Sequence, residues 1–571
     1  MDTILVIGGG VAGCTCAVEV LRLSPSSNVT LVSPSLTLRT VEAIEHVTPL
    51  LGIVHVGDRS SDDFAAEHGV RMICDEVVAL DHVRSQAQLA SGVVLPFSRF
   101  ACSVHHDEAE RKVHVAPRSL LLLLRHTANL SPLPPLSRAV AEYPRCCVAT
   151  GASPALVAQA TPRYFGIRDT ESVENLRERL VDAKRVLVVG NGGLALELVH
   201  FLASTQACQV VWAVRNSYIG NTFFDASASA FFLQHVSTEQ TTCSRSEPSA
   251  KTGTPTGASD EKSIPKASVG PDWLKTLATQ AGTSEEDRTA TSQNPLLDIQ
   301  FECELGGICE RGEDSSDPYP VSATLTNGRR VECDFVVSAT GVRPNTGIIS
   351  SDFKRGPDGG LCVDEMMRVV RCGIEKEGDI ENNIFAAGDC CCLERNEDHW
   401  FQIRLWRQAR DMGLYAAKCI TGSVDELSRG GVFELFVHAT RFFGFKVALL
   451  GRFNGQGLHP SVQDLISNHE LQEGPSGIGV KHGVTSTPEC RHESIHIKWA
   501  TSESIQILIR TTPGVEYVKV VLVGGRVRGA MLVGDTALEE TLENLILSET
   551  DVSHIGDDLL TREVDIEDFF D

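Results

Sequence analysis

Residues 1–20 read MDTILVIGGGVAGCTCAVEV, and the succession of residue types in this stretch decides the fold. Thr3 to Ile7 is a continuous apolar run, the pattern of a strand buried on both faces in a parallel sheet. It enters Gly8-Gly9-Gly10-Val11-Ala12-Gly13, which satisfies GxGxxG at Gly8, Gly10 and Gly13. In such a turn the first glycine reverses the chain, the second lets a pyrophosphate approach the backbone, and the third lets helix and strand pack closely. Val11, Cys14, Ala17, Val18 and Leu21 then recur at helical spacing, and Val29 to Val32 supplies a second strand. The expected unit is βαβ, with the unpaired N–H groups of the helix N-terminus turned toward phosphates. After the second strand, where a carboxylate usually grips the ribose, stands Ser33, whose hydroxyl offers a hydrogen bond without a charge.

The pattern occurs again. Arg185 to Val189 is an apolar strand that runs into Gly190-Asn191-Gly192-Gly193-Leu194-Ala195-Leu196-Glu197, with Ala195 as the third small residue. Leu194, Leu198, Phe201 and Leu202 mark the apolar face of its helix, and Val210 to Val214 gives the next strand. Val214 occupies the discriminating position and Arg215 follows it, so no acid excludes a 2′-phosphate and NADPH stands beside NADH as a candidate. Cys147 to Gly151 and Val336 to Gly341 each read as a strand ending in Ala-Thr-Gly (Ala149, Thr150, Gly151; Ala339, Thr340, Gly341), small residues beside which a nucleotide fits. Ile384 to Asp389 is a strand that delivers a carboxylate, Asp389, directly after Gly388, and a helix from about Arg404 to Ile420 follows. Asp389 is placed to accept hydrogen bonds from a flavin ribityl chain, and the helix N-terminus to face the flavin pyrimidine edge.

In this order, over about residues 1 to 425, these segments resemble the two-dinucleotide-binding flavoproteins, the pyridine nucleotide-disulphide oxidoreductases. A closer likeness to one branch of that family lies in GIRDTESVENL from Gly166, YIGNTFFDA from Tyr218, GPDW from Gly270, FELFVHATRFF from Phe433, ALEETLENLIL from Ala537 and the terminal DIEDFFD. The resemblance implies FAD, NAD(P)H as electron donor, a role in the oxidative-stress response, and protection of the tRNA ligase complex. The candidate cofactor-binding residues are Gly8, Gly10, Val11, Ala12, Gly13, Ser33, Val77, Ala149, Thr150, Gly151, Gly388 and Asp389 for the flavin. For the nicotinamide nucleotide they are Gly190, Gly192, Gly193, Leu194, Ala195, Glu197, Arg215, Ala339, Thr340 and Gly341.

The family's disulphide reductases carry a redox-active cysteine pair after the first βαβ unit, or a CxxC in the second nucleotide domain. Here no cysteine lies between Cys16 and Cys74, and the His-Pro of the thiol-protonating dyad has no counterpart, since His438 precedes Ala439. Exchange through a protein dithiol is therefore not expected. The 18 cysteines are scattered, with no disulphide framework and no paired zinc knuckles. Cys14, Cys16 and Cys390 to Cys392 read as small buried hydrophobes, and His105 and His106 as solvated loop residues. A net charge of −24 disfavours nucleic acid and anionic membrane as direct partners. The Leu120 to Leu124 run is too short to span a bilayer. With a strand beginning at residue 3, the expected compartment is the cytoplasm, with possible nuclear access.

The expected architecture is α/β: two Rossmann-like domains, the second inserted in the first, plus a C-terminal α+β domain. Residues 1–165 and 345–425 form the FAD-binding domain, 166–344 the NAD(P)H-binding domain, and 426–571 the C-terminal domain. Residues 237–295, rich in Ser, Thr, Gly and charge, are expected to be a disordered insertion, with Trp273 as a docking point onto this protein or a partner. Leu458 to Arg491 is a second loose stretch. Alternation at Ile495, Ile497 and Trp499, then at 504–510, 517–523 and 527–533, predicts strands, with Gly524-Gly525 a hairpin turn and Leu538 to Leu547 a helix. The acidic end, Val564 to Asp571, is a solvated terminus or a short motif presenting Phe569 and Phe570. The expected activity is hydride transfer from NAD(P)H to flavin without a redox disulphide. The alternatives are an NAD(P)H-dependent reductase of a small electron carrier and a flavin redox sensor with little turnover.

Overall fold

The computed structural model describes residues 3–97, 145–168, 170–205, 208–242, 297–311, 317–373, 383–393, 399–424, 433–460, 463, 466, 479–486, 490–498 and 504–561. Leu120 to Leu124, His105, His106, Trp273, Trp499 and the terminal Val564 to Asp571 lie outside these residues.

Five parallel strands form the first sheet, in the order Ile384–Ala386, Arg145–Val148, Thr3–Ile7, Asn28–Ser33, Arg71–Cys74. A second five-stranded parallel sheet runs Tyr164–Gly166, Phe335–Ser338, Arg185–Val189, Gln209–Ala213, Leu297–Gln300. The two correspond strand for strand. In each, the strand before the glycine turn is central, its βαβ partner lies on one side, and the strand before Ala-Thr-Gly lies on the other. Each also precedes its Ala-Thr-Gly strand with a three-stranded antiparallel meander: Val77–Asp81, Gln86–Leu89, Val94–Pro96 in the first half and Leu305–Glu310, Val321–Leu325, Arg330–Cys333 in the second. Strands buried on both faces need continuous apolar sequence, and Ile4 to Ile7 and Val186 to Val189 are all buried.

The chain then builds a seven-stranded antiparallel sheet, ordered Val437–Phe442, Phe445–Gly451, Arg526–Val533, Glu516–Val523, Ser504–Thr512, Arg491–Lys498, Gly479–Ser486. Gly524 and Gly525, at φ +58° and +77°, make the expected two-residue hairpin turn. Alternation puts Val518, Val520 and Leu522 on a core shared with the helix Glu539–Ser548, while Tyr517 and Val521 face the large core that runs through both parallel sheets.

Besides the strand Gly479–Ser486, which pairs with Arg491–Lys498 inside the stretch Leu458 to Arg491 expected to be loose, two features differ from the sequence expectation. The helix Ala226–Thr242 carries the first residues of the stretch expected to lack structure, because Phe231 and Phe232 are buried and anchor it; residues 243–296 lie outside those described. The second is an antiparallel hairpin, Thr37–His46 with Gly52–Ser60, that the sequence reading did not identify, since its alternation is interrupted by a bulge between Val41 and Ala43. Among the described residues no helix is long and apolar enough to cross a membrane.

The helix Val11–Leu23 packs along the helix Trp406–Thr421, and at the crossing a Cβ on Gly413 would stand 2.4 Å from the Ala12 carbonyl oxygen. Replacing a helical glycine by alanine ordinarily gains about 1 kcal/mol, but overpacking costs about 1–3 kcal/mol, and a backbone oxygen cannot rotate aside. Gly413→Ala is therefore expected to destabilise the protein by about 1–2 kcal/mol in urea unfolding; a gain in stability would show that the helices separate freely.

Candidate functional site

The two glycine turns have matching geometry. Gly8 has φ +119°, and a Cβ there would lie 2.1 Å from the Ala149 carbonyl oxygen; Gly190 has φ +135°, and its Cβ would lie 2.2 Å from the Ala339 oxygen. The same backbone bonds hold both: Gly8 N to Val32 O at 2.8 Å and Ala149 N to Ile7 O at 2.8 Å, against Gly190 N to Ala213 O at 3.1 Å and Ala339 N to Val189 O at 2.7 Å. Each Ala-Thr-Gly crossing is thus pressed onto the turn at the carboxyl edge of its sheet, where ligands of open α/β sheets bind.

Around the first turn the structure gathers most of the residues expected to hold flavin. Gly10 caps the helix Val11–Leu23 with no side-chain hydrogen bond, and space is open around the position of its missing Cβ. The first-turn N–H groups of that helix therefore face a free region suited to an anion. Gly388 abuts Ala12, with a would-be Cβ only 2.8 Å from the Ala12 methyl, so Asp389 arrives beside the turn. Val11, Ala12 and Gly13 are buried in the helix, and Thr150 Oγ1 donates to Asn345 O at 2.5 Å. Ser33 is buried, its Oγ accepting from Ser35 N at 3.3 Å. Val77 is buried at the start of the small meander, on a different sheet from the turn. Asp389 is not an open acceptor: its carboxylate forms an ion pair with Arg168, whose Nε donates to Ala152 O at 3.2 Å.

The second turn opens on a cavity of about 1030 Å³. Gly190, Gly192, Gly193, Leu194, Arg215, Ala339, Thr340 and Gly341 all line it. Ala195 and Glu197 do not; both are buried farther along the helix Gly193–Thr205. Arg215 is largely exposed at the rim, 3.6 Å from Glu304. The opposite wall comes from the N-terminus of the helix Trp406–Thr421, from Ile53 and Val54 of the hairpin, and from His438 and Thr440 of the C-terminal sheet.

Several residues that shape this cavity were not singled out from sequence. Asn191, inside the turn, clamps the following loop: its amide nitrogen donates to Asn216 Oδ1 at 3.0 Å and Tyr218 O at 2.9 Å, and its oxygen accepts from Gly220 N at 2.6 Å. Phe223 lies against the turn, 2.5 Å from where a Gly193 Cβ would be, and its ring stacks on His438 at 5.5 Å and 24°. Arg404 adopts φ +57°, with Nε donating to Asp389 O at 3.1 Å and a second nitrogen paired with Asp358, so it joins the Asp389 corner to the cavity. The sequence signals that bear on this set were the turn that contains Asn191, the quoted YIGNTFFDA stretch that contains Phe223, and the helix expected to begin near Arg404.

The cysteines beside the first turn are mostly buried. Cys14, Cys16, Cys390 and Cys391 are buried; burial pushes the Cys14 thiol up to about 12 and the Cys391 thiol well above its usual value. Cys392 Sγ lies 3.9 Å from Cys362 Sγ, and burial raises Cys392 to about 12 as well. Thiols so protonated are poor nucleophiles at neutral pH.

Residues 2–247 and 297–413 match the family model described as pyridine nucleotide-disulphide oxidoreductase. The human pyridine nucleotide-disulfide oxidoreductase domain-containing protein 1 is 32% identical, across 99% of this chain and 97% of its own length. The Dictyostelium discoideum protein of that name is 30% identical across 100% of both. Among solved structures, the covalent putidaredoxin reductase–putidaredoxin complex gives a TM-score of 0.55 at 16% identity, covering 100% of this chain and 98% of that one. The water-forming NADH oxidase of Lactobacillus brevis bound to NADH gives 0.55 at 12%, covering 97% and 92%. At these identities the solved structures are evidence of fold alone.

Burial, and secondarily the charge of Arg407, lowers His438 from its usual 6.5 to about 4. Below pH 6.5 the unfolded chain therefore takes up a proton that the folded chain refuses, so stability falls as pH drops from 6.5 toward 4. The loss assigned to this ring is about 3 kcal/mol. His438→Gln should flatten that part of the urea-stability profile, and an unchanged slope would show that the ring titrates normally.

Proposed function

The chain belongs to the pyridine nucleotide-disulphide oxidoreductases, and from that premise we propose that it is an FAD-dependent NAD(P)H oxidoreductase that works without a protein dithiol. The observation that carries this reading is the duplicated turn, each with an Ala-Thr-Gly crossing pressed against a positive-φ glycine. When bound, the flavin supplies the hydride acceptor and passes electrons onward.

In this reading Gly10 and the uncapped start of the helix Val11–Leu23 receive the flavin pyrophosphate, and the Arg168–Asp389 pair presents a polar corner to the ribityl hydroxyls. The helix Trp406–Thr421, which has no side-chain cap at Leu405, points its N-terminal N–H groups into the cavity, where they favour negative charge. Gly190 to Leu194 hold the nicotinamide nucleotide, and Arg215 stands at the rim where a 2′-phosphate would meet it. Phe223, Ile53 and Val54 keep water from the far wall. The division into an FAD-binding domain (1–165 and 345–425), an NAD(P)H-binding domain (166–344) and a C-terminal domain (426–571) is part of this proposal. So are the oxidative-stress role, the tRNA ligase complex as partner and a cytoplasmic or nuclear location, which rest on the resemblance and the sequence reading alone.

The purified protein should be yellow, and its flavin absorption should bleach anaerobically with NADH or NADPH; a colourless protein that takes up no FAD defeats the reading. Gly190→Ala forces a methyl against the Ala339 oxygen. It should keep the flavin spectrum while weakening nucleotide binding by about 2–3 kcal/mol, roughly 50-fold in Kd. Stopped-flow reduction against nucleotide concentration measures this, and an unaltered Kd would remove the second turn from the site.

A further inference from the structure

The C-terminal sheet places a charge where an apolar residue is expected. On the strand Glu516–Val523, Lys519 shares a face with Tyr517 and Val521, which look into the large core, and it has no exposed surface. Its ammonium pairs with Asp225, also wholly buried, and donates to Asn454 Oδ1. Tyr517 Oη lies 3.3 and 3.4 Å from the two Asp225 carboxylate oxygens and 3.0 Å from Ser227 Oγ. Asn454 Nδ2 donates to Phe223 O at 3.4 Å. Burial pulls Lys519 below its usual value, against the opposing effect of Asp225.

Adhesion between the C-terminal sheet and the second parallel sheet does not require this pair. Phe231 meets Phe445 at 5.2 Å and Phe224 meets Phe442 at 5.6 Å, an aromatic seam sufficient to join them. A buried ion pair returns about what its desolvation costs, so it adds little adhesion. What it adds is direction: apolar contact tolerates sliding, whereas a paired ammonium fixes one carboxylate at one point. That point ends the loop Tyr218–Asp225, where Asp225 Oδ1 accepts from Ala228 N at 2.7 Å and starts the next helix. The loop is clamped earlier by Asn191. Between the two anchors stand Asn221, Thr222 and Phe223, all in the cavity wall.

We infer that Lys519 and Asp225 are positioning residues for the pyridine-nucleotide cavity: through them the C-terminal sheet fixes the Asn221–Phe223 wall, so nucleotide affinity is set partly by a strand remote from the glycine turn. This rests on the proposed reading that the cavity takes NAD(P)H.

The test uses the full-length flavin-loaded protein and the double variant Lys519→Met/Asp225→Asn, which removes both charges while retaining a helix-capping side chain. The expected result is a KM for NADH and NADPH raised about tenfold or more, with kcat at saturation within about twofold and the flavin spectrum unchanged. The control is Arg510→Met/Glu516→Gln, which removes a comparably buried pair (3.2 Å, side chains 8% and 7% exposed) on the same sheet. It should lower Tm and leave KM alone. Asn454→Ala, which keeps the ion pair but drops the bond to Phe223 O, should raise KM by a smaller factor. A double variant that loses Tm but keeps its KM, as the control does, overturns the inference. If the double variant does not fold, an unchanged KM in Asn454→Ala overturns it instead. If the parent protein shows no saturable reduction by either nucleotide, the reading of the cavity fails and the inference falls with it.

Discussion

Two strands of this protein end in a carbonyl oxygen that passes so close to a glycine turn that no side chain could stand between them, and each turn is held in a backbone conformation that L residues rarely adopt. The constraint reaches outward. It fixes where the helix after each turn begins, and at the first turn it leaves the helix without a side-chain cap at the edge of the sheet. It also fixes where the Ala-Thr-Gly peptide crosses, and so the floor of both candidate nucleotide sites. Because the same constraint appears twice with the same hydrogen bonds, the two halves share one solution to holding a dinucleotide and differ in their surroundings. The first turn lies beside the helix Trp406–Thr421 and the Arg168–Asp389 pair; the second opens into a cavity.

The cavity is assembled from several parts of the chain, among them the N-terminus of the helix Trp406–Thr421. The second parallel sheet provides the turn, the hairpin of residues 37–60 provides Ile53 and Val54, and the C-terminal sheet provides His438 and Thr440. Among the described residues Cys303 lines this cavity, and burial raises its thiol above the usual value. The hairpin follows the first βαβ unit, where the resemblance led one to look for a redox pair, and it contains no cysteine. Cys390 and Cys391, which follow Asp389, are buried, and burial holds the Cys391 thiol well above its usual value.

Much of this was legible in the sequence because the features concerned are local. A continuous apolar strand, a glycine turn and a helical repeat lie within thirty or so residues of one another, and the backbone has few ways to satisfy them together. The Gly524-Gly525 hairpin was readable for the same reason. What escaped depends on distance along the chain. Asp389 suits a ribityl hydroxyl by position, but its partner Arg168 stands 221 residues earlier, and nothing local to either announces the pairing. Glu197 and Ala195 belong to the motif yet do not line the cavity: Ala195 is packed in the core, and Glu197 is buried farther along the helix. Lys519 lies in a strand whose neighbours are apolar, and alternation alone marks it as buried without saying what neutralises it.

The strand order of the first sheet also governs the order in which the molecule is made. Thr3–Ile7 lies beside Arg145–Val148, and the edge beyond it is closed only by Ile384–Ala386, with the whole second sheet encoded between those two strands. As the chain leaves the ribosome, the opening sheet must wait with an unpaired edge while a later-encoded sheet is completed inside it. Such an edge is a template for wrong partners. The internal sheet, whose strands are all emitted before that edge is covered, has the shorter exposure, and synthesis and chaperoning of this protein must guard the early interval most closely.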